Sequence, residues 1–221
     1  LDTGIATTFI TEDTERTFAT YLGAASEMNT NEIDEAIFGQ YDLIHIEGYL
    51  VFNHDLILTL CRLAKKHNLL VSMDMASYNL MEENREFMMD LLKNYVDIIF
   101  GNELEVAALT GVSPEKSLDV LAEVCDTVIV KLGKQGSLIK MNGEKLHIPV
   151  VPARCIDSNG LGDIYAAGFL YGLINDYTPY DAGYLASTLA AYLCEYVGAK
   201  LPTEQWQIIK QQEHALLNKK Y

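Results

Sequence analysis

The residues best suited to chemistry lie in a glycine turn ahead of an apolar helix. The segment reads DSNGLGD at residues 157–163 and continues as IYAAGFL. Gly160 and Gly162 allow a tight turn and let a ligand approach the backbone without a Cβ clash. The N–H groups of Gly160, Leu161 and Gly162 then lie at a positively polarised helix end, which suits an anion. An acid in a first helical turn is also favourable to the helix dipole, so a structural role for Asp163 alone stays open.

A polar pair follows another apolar segment, VDIIFG at residues 96–101. Asn102 and Glu105 are three residues apart at a predicted helix start, so their side chains can face the same way. Carboxylate oxygens suit Mg²⁺, which keeps much of its water shell and is often held through water. The same two residues also fit a capping box at the helix N-terminus. Both interpretations stay open for this motif taken alone.

Two glycine-containing loops accompany these motifs. The first, KLGKQG at residues 131–136, ends the apolar run TVIVKL. The second, Val197-Gly198-Ala199, follows a long predicted helix. An ordinary turn explains the first loop when it is taken alone. These loops become useful for assigning a family when their order along the chain is considered together with the other motifs.

Together these segments resemble the ribokinase-like (PfkB) carbohydrate kinases. DSNGLGD is similar to the signature D-x-x-G-A-G-D of that family, with Leu161 in place of the usual alanine. NELE resembles the N-x-x-E motif, KLGKQG resembles T/K-L-G-x-x-G, and VGA resembles the loop beside the adenine. Parts of residues 15–24 and 46–50, with Asn159, resemble the adenosine-kinase-like branch.

The resemblance implies an ATP-dependent phosphotransferase that acts on a primary hydroxyl of a sugar or nucleoside. It implies that Asp163 is the general base and that the amides of Gly160, Leu161 and Gly162 form an anion hole for the phosphoryl group. The adenosine-kinase-like features favour a nucleoside or ribose-bearing acceptor, with a free or phosphorylated sugar as the alternative.

Ligand-binding roles also follow from the resemblance. It implies that Asn102 and Glu105 position Mg²⁺, mostly through water, and that Asp157 helps to bind a monovalent cation such as K⁺. A cap of the turn is the simpler interpretation of Asp157. The residues implied to border ATP are Lys131, Gly133, Gly136 and Gly198.

Composition limits the other functions that the chain could have. The 221 residues carry 31 acidic and 16 basic side chains, a net charge of −15, which disfavours nucleic acid and anionic membranes as partners. No apolar run is long enough to span a bilayer, and no signal peptide is visible, so we expect a cytoplasmic protein. Four scattered cysteines among apolar neighbours predict buried free thiols in a reducing compartment.

The elements that must position these residues form an α/β pattern. Apolar runs at residues 42–48, 69–74, 96–101 and 127–132 alternate with helical segments, which indicates a mostly parallel, doubly wound sheet with helices on both faces. A hairpin around Asn142-Gly143 follows, and the last third is helical. Residues 1–221 are therefore predicted to form one ribokinase-like domain. Residues 5–22, with a turn at Asp13-Thr14, predict two lid strands within it.

The start of the chain leads to further expectations. It opens on Leu1 without an initiator Met, and nothing in it corresponds to the first strands and Gly-Gly hinge that the resemblance implies. We therefore expect an N-terminally incomplete kinase domain. The lid strands predict a homodimer, although they could equally pack on their own domain. A non-catalytic nucleotide-binding or interaction protein that retains the fold is the rival hypothesis.

Overall fold

A computed structural model describes residues 1–10 and 16–217 of the chain, without the side chains of residues 10, 16, 17 and 212–217. Its strands fall into two separate sheets, one with two strands and one with six. In chain order the strands are β1 (Thr3–Ile10), β2 (Arg16–Gly23), β3 (Leu43–Glu47), β4 (Leu70–Asp74), β5 (Ile98–Asn102), β6 (Thr127–Lys131), β7 (Ser137–Met141) and β8 (Glu144–Ile148).

The six-stranded sheet follows the order of the chain, from β3 at one edge to β8 at the other. Strands β3 to β6 pair in parallel, whereas β7 and β8 pair antiparallel at one side. Successive side chains of a strand point to opposite faces, so the apolar strands are buried on both sides. Phe100 and Ile129 belong to one core cluster, and Ile99 and Val128 belong to the other.

Helices cover both faces of this sheet. The helices are α1 (His54–Lys66), α2 (Tyr78–Glu83), α3 (Arg85–Tyr95), α4 (Glu103–Thr110), α5 (Pro114–Leu121), α6 (Leu161–Ile174), α7 (Pro179–Leu193) and α8 (Thr203–Leu217). Residues of α1 to α5 join the Ile99 cluster, while α6 and α7 join the Phe100 cluster. The predicted α/β architecture, a mostly parallel sheet between helices, is confirmed.

Helix ends follow the signals in the sequence. The Thr178 side chain accepts a hydrogen bond from the Asp181 N–H, and Pro179 begins α7. Gly111 ends α4 in the left-handed region with φ at 76°. The single helix predicted over residues 81–93 was wrong, because the chain forms α2 and α3 on either side of Asn84.

The two-stranded sheet has large apolar side chains exposed on both faces. Ile5 is paired directly with Tyr21, and these side chains are 63% and 51% exposed. Phe9 and Phe18 are also more than half exposed. Two antiparallel strands form here as predicted, but their role as a lid stays a prediction, and the turn predicted at Asp13-Thr14 lies outside the described residues. The homodimer predicted through these strands stays a prediction.

Two further features complete the fold. Cys61, Cys125 and Cys194 are buried as predicted, but Cys155 is exposed. That expectation was wrong because Cys155 lies in the irregular segment before the turn at residues 157–160 rather than in a core element. Within the described part of the chain, no helix has the length and apolar character needed to cross a bilayer.

Candidate active site

The carboxyl ends of the parallel strands gather polar residues at one edge of the sheet. Strands β3, β4, β5 and β6 end in Glu47, Asp74, Asn102 and Lys131, respectively. Ligands of open α/β sheets generally bind outside this edge. Helix α6 begins beside the same edge, because the Lys131 Nζ lies 3.2 Å from the place that a Cβ on Gly162 would occupy. The candidate site therefore combines strand ends with the first turn of α6.

The start of α6 has the geometry expected of the glycine turn. Gly160 is the N-cap residue, in the left-handed region with φ at 72°. A Cβ there would lie 2.7 Å from the Cβ of Ala199, so only glycine fits without displacement. The Leu161 N–H makes one long hydrogen bond of 3.4 Å to the Ser158 carbonyl. The following N–H groups of the turn, beginning with Gly162, have no acceptor within the helix and are available to an anion.

Asp163 lies in the first turn of α6 with its side chain exposed. Partial burial raises the pKa of its carboxyl, and the negative charges of Glu47 and Asp74 raise that pKa further. The nearby charges of Lys131 and His45 lower it but do not reverse the shift. Asp163 is thus accessible. Its raised pKa makes the carboxylate a stronger base, and a general base works best when its pKa is near the working pH.

Asn102 and Glu105 form a complete capping box at the start of α4. The Asn102 side-chain oxygen accepts the Glu105 N–H at 3.0 Å, and one Glu105 oxygen accepts the Asn102 N–H at 2.7 Å. The other Glu105 oxygen accepts the Asn102 amide side chain at 2.8 Å. Glu105 is only 5% exposed, and burial raises the pKa of its carboxyl despite these hydrogen bonds.

This arrangement limits how a metal ion could be held. Among the described residues, no group of three or more His, Cys, Asp or Glu side chains is placed to hold a metal ion. Both oxygens of Glu105 already accept hydrogen bonds, yet each has a second lone pair that a water molecule can use. The residues present therefore fit a magnesium ion held through water and by the phosphates, which is the usual form of such sites.

Asp157 joins the glycine turn to the loop that contains Gly198. Its carboxylate accepts the Asn159 N–H at 2.9 Å and the Gly198 N–H at 2.8 Å. The Ile156 N–H also donates to the Cys194 carbonyl at 2.7 Å, so the two segments are held side by side. Asp157 is 6% exposed. These bonds explain Asp157 as a residue that ties two loops together, and its predicted role toward a monovalent cation stays a prediction.

The other predicted glycine loop is shaped by a tight turn. Gly136 has φ at 85°, and a Cβ on it would lie 2.0 Å from the Ile148 carbonyl oxygen. Gly133 also has a positive φ, but no described atom would lie within 4 Å of a Cβ on it. Among the described residues, the atoms nearest to a Cβ on Gly136 belong to the end of β8 and the residue after it. In this segment it is Lys131 that lies against α6.

Sequence reasoning missed several residues at this edge. Asp74 accepts a hydrogen bond of 2.6 Å from the Lys131 Nζ. Glu47 lies beside Asp74 in the register of β3 and β4. Partial burial raises the pKa of the Tyr49 hydroxyl, as do the charges of Glu105, Glu47, Asp163 and Asp74. An acid at the end of an apolar strand was the signal that could have identified Glu47 and Asp74.

Comparison with known proteins gives this geometry a context. Residues 1–206 match the family described as pfkB family carbohydrate kinase. An uncharacterised sugar kinase from Archaeoglobus fulgidus is 27% identical over 205 residues, covering 89% of this chain and 78% of that protein. A nucleoside kinase from Methanocaldococcus jannaschii is 29% identical over 140 residues, covering 63% of this chain and 45% of that protein.

Solved structures show the same similarity. A probable sugar kinase from Rhizobium etli has a TM-score of 0.89 at 28% identity, covering 96% of this chain and 66% of that one. Adenosine kinase from Sinorhizobium meliloti has a TM-score of 0.88 at 27% identity, covering 94% and 65% of the two chains. The chain therefore spans about two thirds of the length of these solved relatives.

Proposed function

Since the chain belongs to the pfkB family of carbohydrate kinases, we propose that it transfers the γ-phosphate of ATP to a primary hydroxyl of a sugar or nucleoside. One observation carries the proposal: an exposed carboxylate, Asp163, follows directly on a left-handed glycine turn at a helix N-terminus, where the backbone N–H groups beginning with Gly162 are available to an anion. Phosphoryl transfer depends mainly on positioning and on stabilisation of charge, and this turn offers both.

In the proposed reaction, Asp163 is the general base. The acceptor hydroxyl oxygen forms a bond to the γ-phosphorus while the bond from that phosphorus to the β–γ bridging oxygen breaks. The hydroxyl proton passes to the Asp163 carboxylate, and the electron pair of the broken bond leaves with ADP. A positioned general base typically contributes about 10²–10⁴ in rate. The exposure of Asp163 and its raised pKa are what this role requires.

The amides of the turn stabilise the transferring group. Gly160, Leu161 and Gly162 are the proposed anion hole, with Gly160 in the left-handed conformation at the N-cap of α6. Leu161 contributes through its backbone, so its replacement of the usual alanine does not interfere. Removal of a single donor of this kind typically costs about 3 kcal/mol of transition-state stabilisation.

The other predicted ligand contacts complete the nucleotide site. Asn102 and Glu105 would hold magnesium through water, and the ion would offset negative charge on the phosphates of ATP. Lys131 and Gly198 are also proposed to border ATP, since Lys131 lies against Gly162 and Gly198 is bonded to Asp157, which precedes the turn. Gly133 and Gly136 shape the loop that follows Lys131. The monovalent-cation role of Asp157 is part of the same proposal.

A nucleoside is the acceptor that we favour. The resemblance to the adenosine-kinase-like branch supports it, and so do the similarities to a nucleoside kinase and an adenosine kinase. Acidic side chains also gather here, with Glu47 and Asp74 on the edge of the sheet and Asp163 on α6, whereas Lys131 is the lysine beside them. Such a surface suits a neutral acceptor better than a second phosphorylated compound.

The experiment is a screen of ADP release by the full-length protein with MgATP and adenosine, ribose or fructose 6-phosphate. We expect release that depends on adenosine and falls about 10²–10⁴-fold in Asp163→Asn. Asp181→Asn is the matched control, since Asp181 lies in the first turn of α7, at the opposite end of the α6–α7 pair. Binding of MgATP without acceptor-dependent ADP release would favour the rival non-catalytic hypothesis instead.

A further inference from the structure

A largely buried ion pair lies against the first turn of α6. The Lys131 Nζ donates to an Asp74 carboxylate oxygen at 2.6 Å, with the side chains 18% and 9% exposed. The two residues end β6 and β4, so the lysine side chain reaches across the end of β5. Its Nζ also lies 3.2 Å from the position of a Cβ on Gly162. The ammonium group therefore sits between Asp74 and the turn whose amides face the proposed phosphate site.

The carboxylate that holds this lysine is itself fixed. The other oxygen of Asp74 accepts the Ala76 N–H at 3.0 Å, in a segment where Ala76 has φ at 63°. An ammonium group has three donors, and Asp74 is the acceptor that Lys131 has among the described residues. Because Gly162 has no side chain, nothing on that residue separates the remaining donors from the turn.

We propose that Lys131 is a catalytic residue that contacts the transferring phosphoryl group, and that Asp74 is the positioning residue that holds its ammonium group there. This inference rests on the proposed kinase function. In it, Lys131 forms no covalent bond; its N–H groups donate to the equatorial phosphoryl oxygens beside the amides of the turn. Preorganised donors of this kind act most strongly where charge develops in the transition state.

A second interpretation is that the pair only joins β4 to β6. The two interpretations differ in whether Lys131 contacts the γ-phosphate. A purely structural pair would lose stability when broken but would keep the parental preference for MgATP over MgADP. In both interpretations Asp74 raises the pKa of Asp163 and Lys131 lowers it. Neutralising Asp74 should therefore move the acid limb of the pH–rate profile to lower pH, and neutralising Lys131 should move it to higher pH.

The variants are Lys131→Met and Asp74→Asn in the full-length protein. Lys65→Met is the matched control, because Lys65 forms a similar pair with Asp97 at 2.6 Å, at the start of β5 rather than its end. Thermal unfolding of each variant establishes that it folds. Asp74→Asn keeps the shape of the side chain and an oxygen for Ala76, so it serves as the test if Lys131→Met does not fold.

Two readouts are measured for each variant. Calorimetry with MgATP and with MgADP, without acceptor, reports contact with the γ-phosphate independently of turnover. We expect Lys131→Met to lose at least about 10-fold in its preference for MgATP and about 10²–10³ in kcat. We expect Asp74→Asn to lose about 10- to 100-fold in kcat, as misplaced catalytic groups do, with KM for MgATP nearly unchanged. The acid limb of the pH–rate profile should move to lower pH in Asp74→Asn and to higher pH in Lys131→Met.

The outcomes separate this inference from the proposed function. If no acceptor supports turnover but Lys131→Met still loses its preference for MgATP over MgADP, the kinase proposal fails and the phosphate contact stands. If the parent protein is active and Lys131→Met retains the parental preference and kcat, the assignment of Lys131 is overturned. If kcat is unchanged in Asp74→Asn, Asp74 is not a positioning residue.

Discussion

The glycine turn can be tested by adding a single methyl group. Gly160→Ala places a Cβ on a residue with φ at 72°, and this atom would lie 2.7 Å from the Cβ of Ala199. The left-handed conformation costs a non-glycine residue about 1–2 kcal/mol, and overpacking costs about 1–3 kcal/mol. We expect the free energy of unfolding to fall by roughly 3 kcal/mol, which for a chain of this size lowers Tm by about 6–12 °C. We also expect kcat to fall because the amides of the turn are displaced.

Two controls separate the causes of this effect. Gly133→Ala tests a positive φ of 52° in open space, so it should cost only about 1–2 kcal/mol. Ala199→Gly removes the opposing Cβ, and the double variant Gly160→Ala/Ala199→Gly should recover the crowding part of the loss. Urea denaturation of the four proteins, including the parent, completes a double-mutant cycle. A coupling energy below about 0.5 kcal/mol would mean that the two loops do not meet as described.

Three further predictions concern stability. Gly136→Ala should cost more than about 3 kcal/mol and reduce soluble yield, because its Cβ would lie 2.0 Å from the Ile148 carbonyl oxygen; a yield and Tm like those of the parent would refute the turn geometry. Asp157→Ala should cost about 2–4 kcal/mol in urea denaturation, because two backbone N–H groups lose their acceptor, and Asp157→Asn should cost less. A raised pKa means that folded Asp163 binds its proton more tightly than the unfolded chain does, so its charge destabilises the fold above that pKa. Asp163→Asn should therefore be more stable than the parent at pH 7, with the difference in Tm shrinking as pH falls toward 4; a constant difference would contradict the shift.

Much of the fold was predictable from local patterns. Buried parallel strands are continuous apolar runs, which identified β4 and β6 from LLVSMD and TVIVKL. Thr178 and Pro179 marked the start of α7. The Thr178 side chain accepts a backbone N–H of the first turn, and Pro179 has no N–H that would need an acceptor there. The 3-10 turns between residues 24 and 52 were not predicted, since such short elements depend on tertiary packing rather than on periodicity.

The candidate site was predictable only where its residues are close in sequence. The turn that contains Gly160 and Asp163 is a contiguous segment, so its geometry could be inferred from residue types. Lys131 and Asp74 are 57 residues apart and meet only through the register of β4, β5 and β6. A single sequence does not give that register, and the positioning of Lys131 therefore required the structure.

In the proposed reaction, Asp163 accepts a proton at the amide-lined turn. The most direct test is the pH dependence of kcat/KM for the full-length protein with MgATP and its best acceptor. We predict that activity is lost as pH falls through a pKa above the ordinary 3.8 of an aspartate, and that Asp163→Asn lacks this acid limb. A limb at or below the ordinary value, or the same limb in Asp163→Asn, would contradict it.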